Sequence, residues 1–170
     1  AIEGYAALLQ DHQQTPEEQE TYIEKILFNT RRLSTLTGNI LLLSKINNQS
    51  ISPQSSVFRL DEQVRQAILA LERKWEEKDI QFDVDLDKIT YTGYEKLLIH
   101  VWTNLIDNAI KFDPQGGSIR LRMCRQPDGI LFTIDDNGPG IPPEEQERIF
   151  HKFYQSDNSR EVDGNGLGLA

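Results

Sequence analysis

Asn104-Leu105-Ile106-Asp107-Asn108-Ala109-Ile110-Lys111-Phe112 is the stretch around which the rest of the chain is organised. As a helix it places Asn104, Asn108 and Lys111 at i, i+4 and i+7, on one face. Leu105, Ile106, Ala109 and Ile110 fill most of the remaining surface. A solvent face usually carries long charged side chains, whereas here two short amides line up with one lysine. An amide oxygen is a hard, neutral ligand suited to Mg²⁺, and an ammonium suits phosphate. The spacing therefore predicts a helix face that holds a metal–phosphate group. The same spacing alone also fits asparagines that cap backbone or face water.

Length and composition narrow the classes. A chain of 170 residues allows one or two domains. Its 38% hydrophobic share fits a two-faced helical part beside a compact core. A net charge of -9 with no stripe of Lys and Arg disfavours nucleic acid or anionic lipid as partner. A single cysteine, Cys124, excludes an internal disulfide, fits a reducing cytoplasmic setting and reads as a half-buried strand position. No apolar run reaches the roughly 18–20 residues of a membrane span, and no signal peptide opens the chain. The chain starts inside a helical pattern and stops on Leu169-Ala170 without a closing signal, so both ends read as cut.

Taken in order, residues 1–13 read as a helix tail with Ile2, Tyr5, Ala6, Leu8 and Leu9 as its stripe. Thr15-Pro16-Glu17-Glu18 is a helix start, with Thr15 as N-cap, Pro16 at N1 and Glu18 closing a capping box. The second helix runs to about Asn47. Ile23, Ile26, Thr30, Leu33, Thr37 and Ile40 recur at spacings of three and four, and Leu27, Leu36, Leu41, Leu43 and Ile46 widen the stripe. Such a hairpin exposes too much apolar surface alone. It is expected to pair with a second copy as a four-helix bundle, the alternative being that it packs on its own second domain.

Residues 1–48 thus form the hairpin, 49–59 a polar linker, and 60–170 the second domain. Asp61–Lys78 reads as one amphipathic helix with Val64, Ala67, Ile68, Leu71 and Trp75 on one face. Ile80–Leu86 alternates as a half-buried strand, and a short strand follows near Thr90–Thr92. The central helix spans about Tyr94–Phe112 with Leu97, Leu98, Val101, Leu105 and Ile106 inward. Ser118–Arg125 and Ile130–Asp135 are strands joined by the turn Gln126-Pro127-Asp128-Gly129. The fold class is α+β: a helical hairpin followed by a two-layer α/β sandwich.

Five of the eleven glycines lie between 138 and 168. In Asp135-Asp136-Asn137-Gly138-Pro139-Gly140-Ile141 two glycines let backbone approach a ligand while Asp136 accepts a hydrogen bond. In Gly164-Asn165-Gly166-Leu167-Gly168-Leu169 alternate glycines can present N–H groups to phosphate. A tight turn also explains either segment alone. Between them, Glu144–Asp163 reads as a mobile lid carrying one docking helical turn over Ile149–Tyr154.

These segments, in this order, resemble the N, G1, F and G2 boxes of sensor histidine kinases, which share an ATP-binding fold with the gyrase, Hsp90 and MutL superfamily. Ala1–Leu9 resembles the segment just after the phospho-acceptor histidine box. The resemblance spans essentially the whole chain. It implies that Asn108 coordinates Mg²⁺ with Asn104 beside it, that Lys111 contacts phosphate, and that Phe112 lines the adenine side. It implies that Asp136 accepts from the adenine amino group, with Gly138, Gly140 and Ile141 shaping that pocket. Gly164, Gly166, Leu167 and Gly168 would close over the phosphates, and Phe150 and Phe153 would dock the lid.

The sequence departs from the family in three places. The acceptor histidine would lie roughly eight residues before Ala1 if the family's helical spacing holds there, with its acidic neighbour; His12, His100 and His151 are outside that motif. Gln155 stands where many members have an arginine that reaches the γ-phosphate, and Lys152 or Arg160 is the candidate substitute. The family also continues past Gly168-Leu169 with a helix and further strands.

The resemblance thus implies the cytoplasmic core of a dimeric kinase that binds Mg·ATP. It phosphorylates a histidine upstream of residue 1 and relays the phosphoryl to an aspartate of a response regulator. The parent chain is expected to carry the sensor and a membrane anchor, and this segment alone is not expected to autophosphorylate. The alternative is a non-catalytic, nucleotide-responsive regulatory module. A gyrase- or MutL-type ATPase is disfavoured: it needs a glutamate on the central helix, where this chain has Asn104, with Asp107 the nearest carboxylate.

Overall fold

The computed structural model describes residues 1–10, 14–47, 54–151, 154–155 and 169. These fall into two compact units, the first made of residues 1–10 and 14–47, the second of the rest.

In the first unit, α1 (Ile2–Gln10) and α2 (Pro16–Asn47) form the expected hairpin. The capping box is present: the Thr15 N–H donates to Glu18 Oε2 at 2.8 Å, and the Glu18 N–H donates to Thr15 Oγ1 at 3.3 Å. Tyr5 and Tyr22 stack across the hairpin at 5.8 Å. The Thr30 and Thr37 hydroxyls are spent on the Ile26 and Leu33 carbonyls one turn back, so these residues add methyl groups to the stripe rather than free polar atoms. In the single chain Ile23, Leu27, Leu33, Ile40 and Leu41 are exposed. The side chains of Leu43 and Ile46, and His12 as a whole, lie outside the described residues.

The second unit begins with a departure from the expected linker. Ser56–Arg59 is a strand, β1, paired antiparallel with β3 (Thr90–Gly93) in the register Ser56↔Gly93 to Arg59↔Thr90. The expected single helix over 61–78 is two: α3 (Leu60–Ala70) and α4 (Glu72–Glu77). Leu71 breaks the run, at φ -106° and ψ 10°, where its N–H turns to the Ile68 carbonyl in a tighter, three-residue bond.

A second sheet has the order β2 (Gln81–Leu86), β4 (Ser118–Gln126), β5 (Gly129–Asp135), with β2 parallel and β5 antiparallel to β4. Alternation puts Phe82, Val84 and Leu86 beside Ile119, Leu121 and Met123, and the last two beside Ile134 and Phe132. The outward set includes Asp83, Arg120 and Arg122, joined by ion pairs. Cys124 belongs to that set and is exposed, not half-buried as expected, because it is one residue out of phase with Met123.

Helix α5 (Glu95–Phe112) closes the core with α3. Its buried residues are Trp102, Ile106, Ala109 and Ile110. Val101, expected inward, is 43% exposed, because the buried face is turned toward Trp102, whose ring meets Phe132 at 4.8 Å. The Trp102 indole N–H donates to the buried Gln63 amide oxygen, and Gln63 donates in turn to the Glu95 carbonyl, so α3 and α5 are also joined by a satisfied polar pair. Val64, Ala67, Ile106, Ile119 and Leu121 are fully buried. Truncation of a residue such as Ile106 to Ala costs about 2–5 kcal/mol.

Candidate functional site

The amide face of α5 is half-buried at Asn104, Asn108 and Lys111. Neither asparagine amide takes a hydrogen bond from a protein group among the described residues, so the two do not cap backbone. Their oxygens are left for a ligand or solvent. Asp107, three residues past Asn104, is instead ion-paired with Lys74 of α4. The Lys111 ammonium lies 4.9 Å from the Phe112 ring centroid, within cation–π range.

The C-terminus of α5 is fastened from two sides. Lys78, just after α4, donates to the Ile110, Lys111 and Asp113 carbonyls at 2.9, 2.8 and 2.8 Å. One ammonium thus satisfies three carbonyls at the negative end of the helix dipole. Asp113 ends the helix in an extended conformation before Pro114 and is only 2% exposed. Its Oδ1 accepts the Asn137 N–H at 2.6 Å.

That bond leads into the glycine loop after β5. Asp136 Oδ1 accepts the Gly138 N–H at 2.8 Å, an Asx turn that leaves Oδ2 without a protein partner among the described residues. Asn137 Oδ1 accepts from the Ser118 N–H and hydroxyl at 2.9 and 3.0 Å. Gly138 lies against the end of α5: a Cβ there would stand 3.0 Å from the Phe112 carbonyl oxygen. Gly140 has φ +71°, which glycine adopts without strain. Ile141 is exposed, and its carbonyl accepts from Gln146.

The structure therefore sets Asn104, Asn108, Lys111 and Phe112 along α5 and ties the Asn137–Gly138 part of the glycine loop to the end of that helix, with Asp136 beside it and Gly140 and Ile141 following in the same loop. Lys152, Arg160, Gly164, Gly166, Leu167 and Gly168 lie outside the described residues. Of the expected docking turn, a 3₁₀ turn at Arg148–Phe150 is present, with Phe150 62% exposed. Sequence reasoning missed Lys78 and Asp113. Asp113-Pro114 reads only as turn punctuation, and Lys78 only as the end of a surface helix.

Two family models match the chain. Residues 1–49 match the His Kinase A (phospho-acceptor) domain, and residues 93–170 match the histidine kinase-, DNA gyrase B- and HSP90-like ATPase domain. The mycobacterial sensor histidine kinase MprB aligns at 30% identity and a TM-score of 0.62, over 68% of this chain and 74% of that one. This chain belongs to the sensor histidine kinase family.

Its two matched domains are a phospho-acceptor domain and an ATPase-type domain, and the latter implies ATP binding. The heme sensor protein HssS of Staphylococcus saprophyticus is 38% identical over 156 residues, 92% of this kinase chain and 34% of HssS. The chain thus spans about a third of the length of the curated relatives it matches. The histidine kinase ThkA, solved in complex with the response regulator protein TrrA, aligns at 26% identity and a TM-score of 0.74, over 91% of this chain and 46% of that one. The hairpin followed by a mixed α/β domain is therefore the histidine kinase architecture. Among the described residues, no helix is long and apolar enough to cross a membrane.

Proposed function

We propose that the chain is the cytoplasmic catalytic core of a sensor histidine kinase, with residues 1–48 as dimerisation hairpin and 60–170 as ATP-binding domain. The reading is carried by one observation: two amides without a partner among the described residues share a helix face whose end is hydrogen-bonded to the Asp136 loop. Asp136 Oδ2 accepts from the adenine amino group, which selects adenine over guanine, and Gly138, Gly140 and Ile141 shape the surrounding wall. Phe112 lines the same side. Lys111 contacts phosphate; Lys152 or Arg160 provides the cation that Gln155 lacks, and Gly164, Gly166, Leu167 and Gly168 close over the phosphate chain.

The donor set fits Mg²⁺. Among the described residues no cluster of three or more His, Cys, Asp or Glu stands ready for a metal, whereas two neutral amide oxygens suit an ion that brings substrate phosphates and water as its other ligands. Asn108, with Asn104 beside it, would hold Mg²⁺, and the ion would supply positive charge against that spreading over the phosphoryl oxygens. Transfer forms a bond from a histidine nitrogen upstream of residue 1 to the γ-phosphorus and breaks its bond to the bridging oxygen. The electron pair leaves on ADP, and the imidazole proton passes to the neighbouring carboxylate. A response-regulator aspartate then takes the phosphoryl.

The exposed α2 stripe supports pairing with a second copy. The greater length of the relatives supports a parent chain with a sensor and a membrane anchor. The net charge of -9, with no stripe of Lys and Arg, disfavours nucleic acid as a partner. The regulatory-module alternative rests on Gln155 alone and gains nothing from the geometry. The test is a phosphorylation assay on the parent chain with γ-labelled ATP. Label on the upstream histidine, lost in Asn108→Ala, is expected; incorporation unaffected by that change would refute the assignment.

A further inference from the structure

We propose that Asp113 is a positioning residue for nucleotide selection: it sets the loop that carries Asp136 by holding the Asn137 backbone. The inference rests on the nucleotide reading of that loop. Asp113 is 2% exposed, yet its Oδ2 is buried with no hydrogen-bond partner among the described residues. Leaving a buried polar atom unpaired is costly, so the position is poorly explained by stability alone. The one hydrogen bond that its side chain makes among the described residues goes to the loop, across 24 positions of sequence, at 2.6 Å.

Both ends of that bond are themselves fixed. The Asp113 carbonyl is held by Lys78, and its carboxyl group sits in the space that a Cβ on Gly117 would take, 2.7 Å from Cγ, so the glycine is what admits it there. Asn137 is tied by its own side chain to Ser118 at the start of β4. The next residue back is Asp136, whose Oδ1 is already committed to Gly138. Its Oδ2 therefore points where the Asn137 backbone sends it. A carboxylate that reads one amino group must be placed to within a fraction of an ångström, and the Asp113 bond provides that placement.

The test uses the 170-residue chain, as wild type and as Asp113→Ala, Asp113→Asn and Asp113→Leu. Hydrogen–deuterium exchange over residues 134–142 is read without nucleotide, and calorimetric titration is then run with AMPPNP and GMPPNP. Asp113→Ala is expected to speed loop exchange, to weaken AMPPNP binding roughly tenfold, and to narrow the AMPPNP-to-GMPPNP preference. Asp113→Asn keeps the acceptor oxygen and is expected to restore all three.

Unchanged loop exchange in Asp113→Ala overturns the proposal, as does faster exchange with an unchanged preference, the result of a merely structural role. If Asp113→Ala does not fold, Asp113→Leu, which fills the same space without an acceptor, decides: faster exchange with a narrowed preference supports the proposal, and absence of either overturns it. A wild-type chain that binds neither nucleotide refutes the nucleotide reading, and with it the selection role. Loop exchange in Asp113→Ala then shows separately whether the bond holds the loop.

Discussion

Asp107 is engaged by Lys74 across the α4–α5 contact, so the one carboxylate between Asn104 and Lys111 is ion-paired. This separates the site from an ATPase in which a helix carboxylate activates water. The pair is partly solvent-exposed, and such pairs contribute about 0–1 kcal/mol. Asp107→Asn should therefore lower stability by no more than about 1 kcal/mol in urea unfolding. It should leave AMPPNP affinity unchanged in a calorimetric titration.

Gly138 is expected to tolerate no side chain. A Cβ would stand 2.7 Å from Asp136 Oδ1 and 3.0 Å from the Phe112 carbonyl oxygen, and the latter is helix backbone that cannot yield. The loop must move away, taking Asp136 with it. Overpacking of this kind costs about 1–3 kcal/mol. Gly138→Ala should weaken AMPPNP binding about tenfold or more and lower the melting temperature by several degrees.

Asp61 gives the second unit an acid-sensitive joint. The Arg59 side chain hydrogen-bonds its carboxyl and holds it below the usual carboxylate range; burial opposes this, and the Arg59 charge and the Ile89 N–H add to it. The folded value is thus below the unfolded one. The stabilisation is fully present above the unfolded value of about 3.9 and is lost as pH falls through the folded value. Urea midpoints of Asp61→Asn should fall less steeply than those of wild type below about pH 5. Asp83 is lowered in the same direction by Arg122 and then Arg120, but it lies on the exposed sheet face, so Asp83→Asn should alter that slope less.

The hairpin prediction concerns assembly. Leu33 and Ile40 are 57% and 49% exposed in the single chain and sit on one stripe of α2. If that stripe is the dimer seam, a charge on it must be buried on pairing. The Leu33→Glu, Ile40→Glu double variant should shift the sedimentation profile from dimer to monomer, weakening association at least about a hundredfold. Helicity should change little.

The helices and the amphipathic strands were legible because their periods are local. Thr15 and Glu18 announce the start of α2 three residues apart, and β2 and β4 alternate without interruption. β1 was not legible: Ser56-Val57-Phe58-Arg59 follows a polar, proline-containing run, and its partner Thr90–Gly93 is far along the chain. Nor was the break at Leu71, which lies in a periodic run with no glycine or proline to mark it. At the site, Asn104, Asn108, Lys111 and Asp136 were readable as unusual residues in regular places. Asp113 was not, since its meaning depends on Asn137, a contact that only the folded chain creates. The same holds for Lys78, whose partners are carbonyls and leave no trace in residue type.

The amide face of α5 and the Asp136 loop are proposed as one Mg·ATP site. Calorimetric titration of the chain with AMPPNP, with and without Mg²⁺, beside Asp136→Asn tests it most directly. Binding should be tighter with Mg²⁺ and weakened at least about tenfold in Asp136→Asn. Equal affinity in wild type and Asp136→Asn, or affinity indifferent to Mg²⁺, would contradict it.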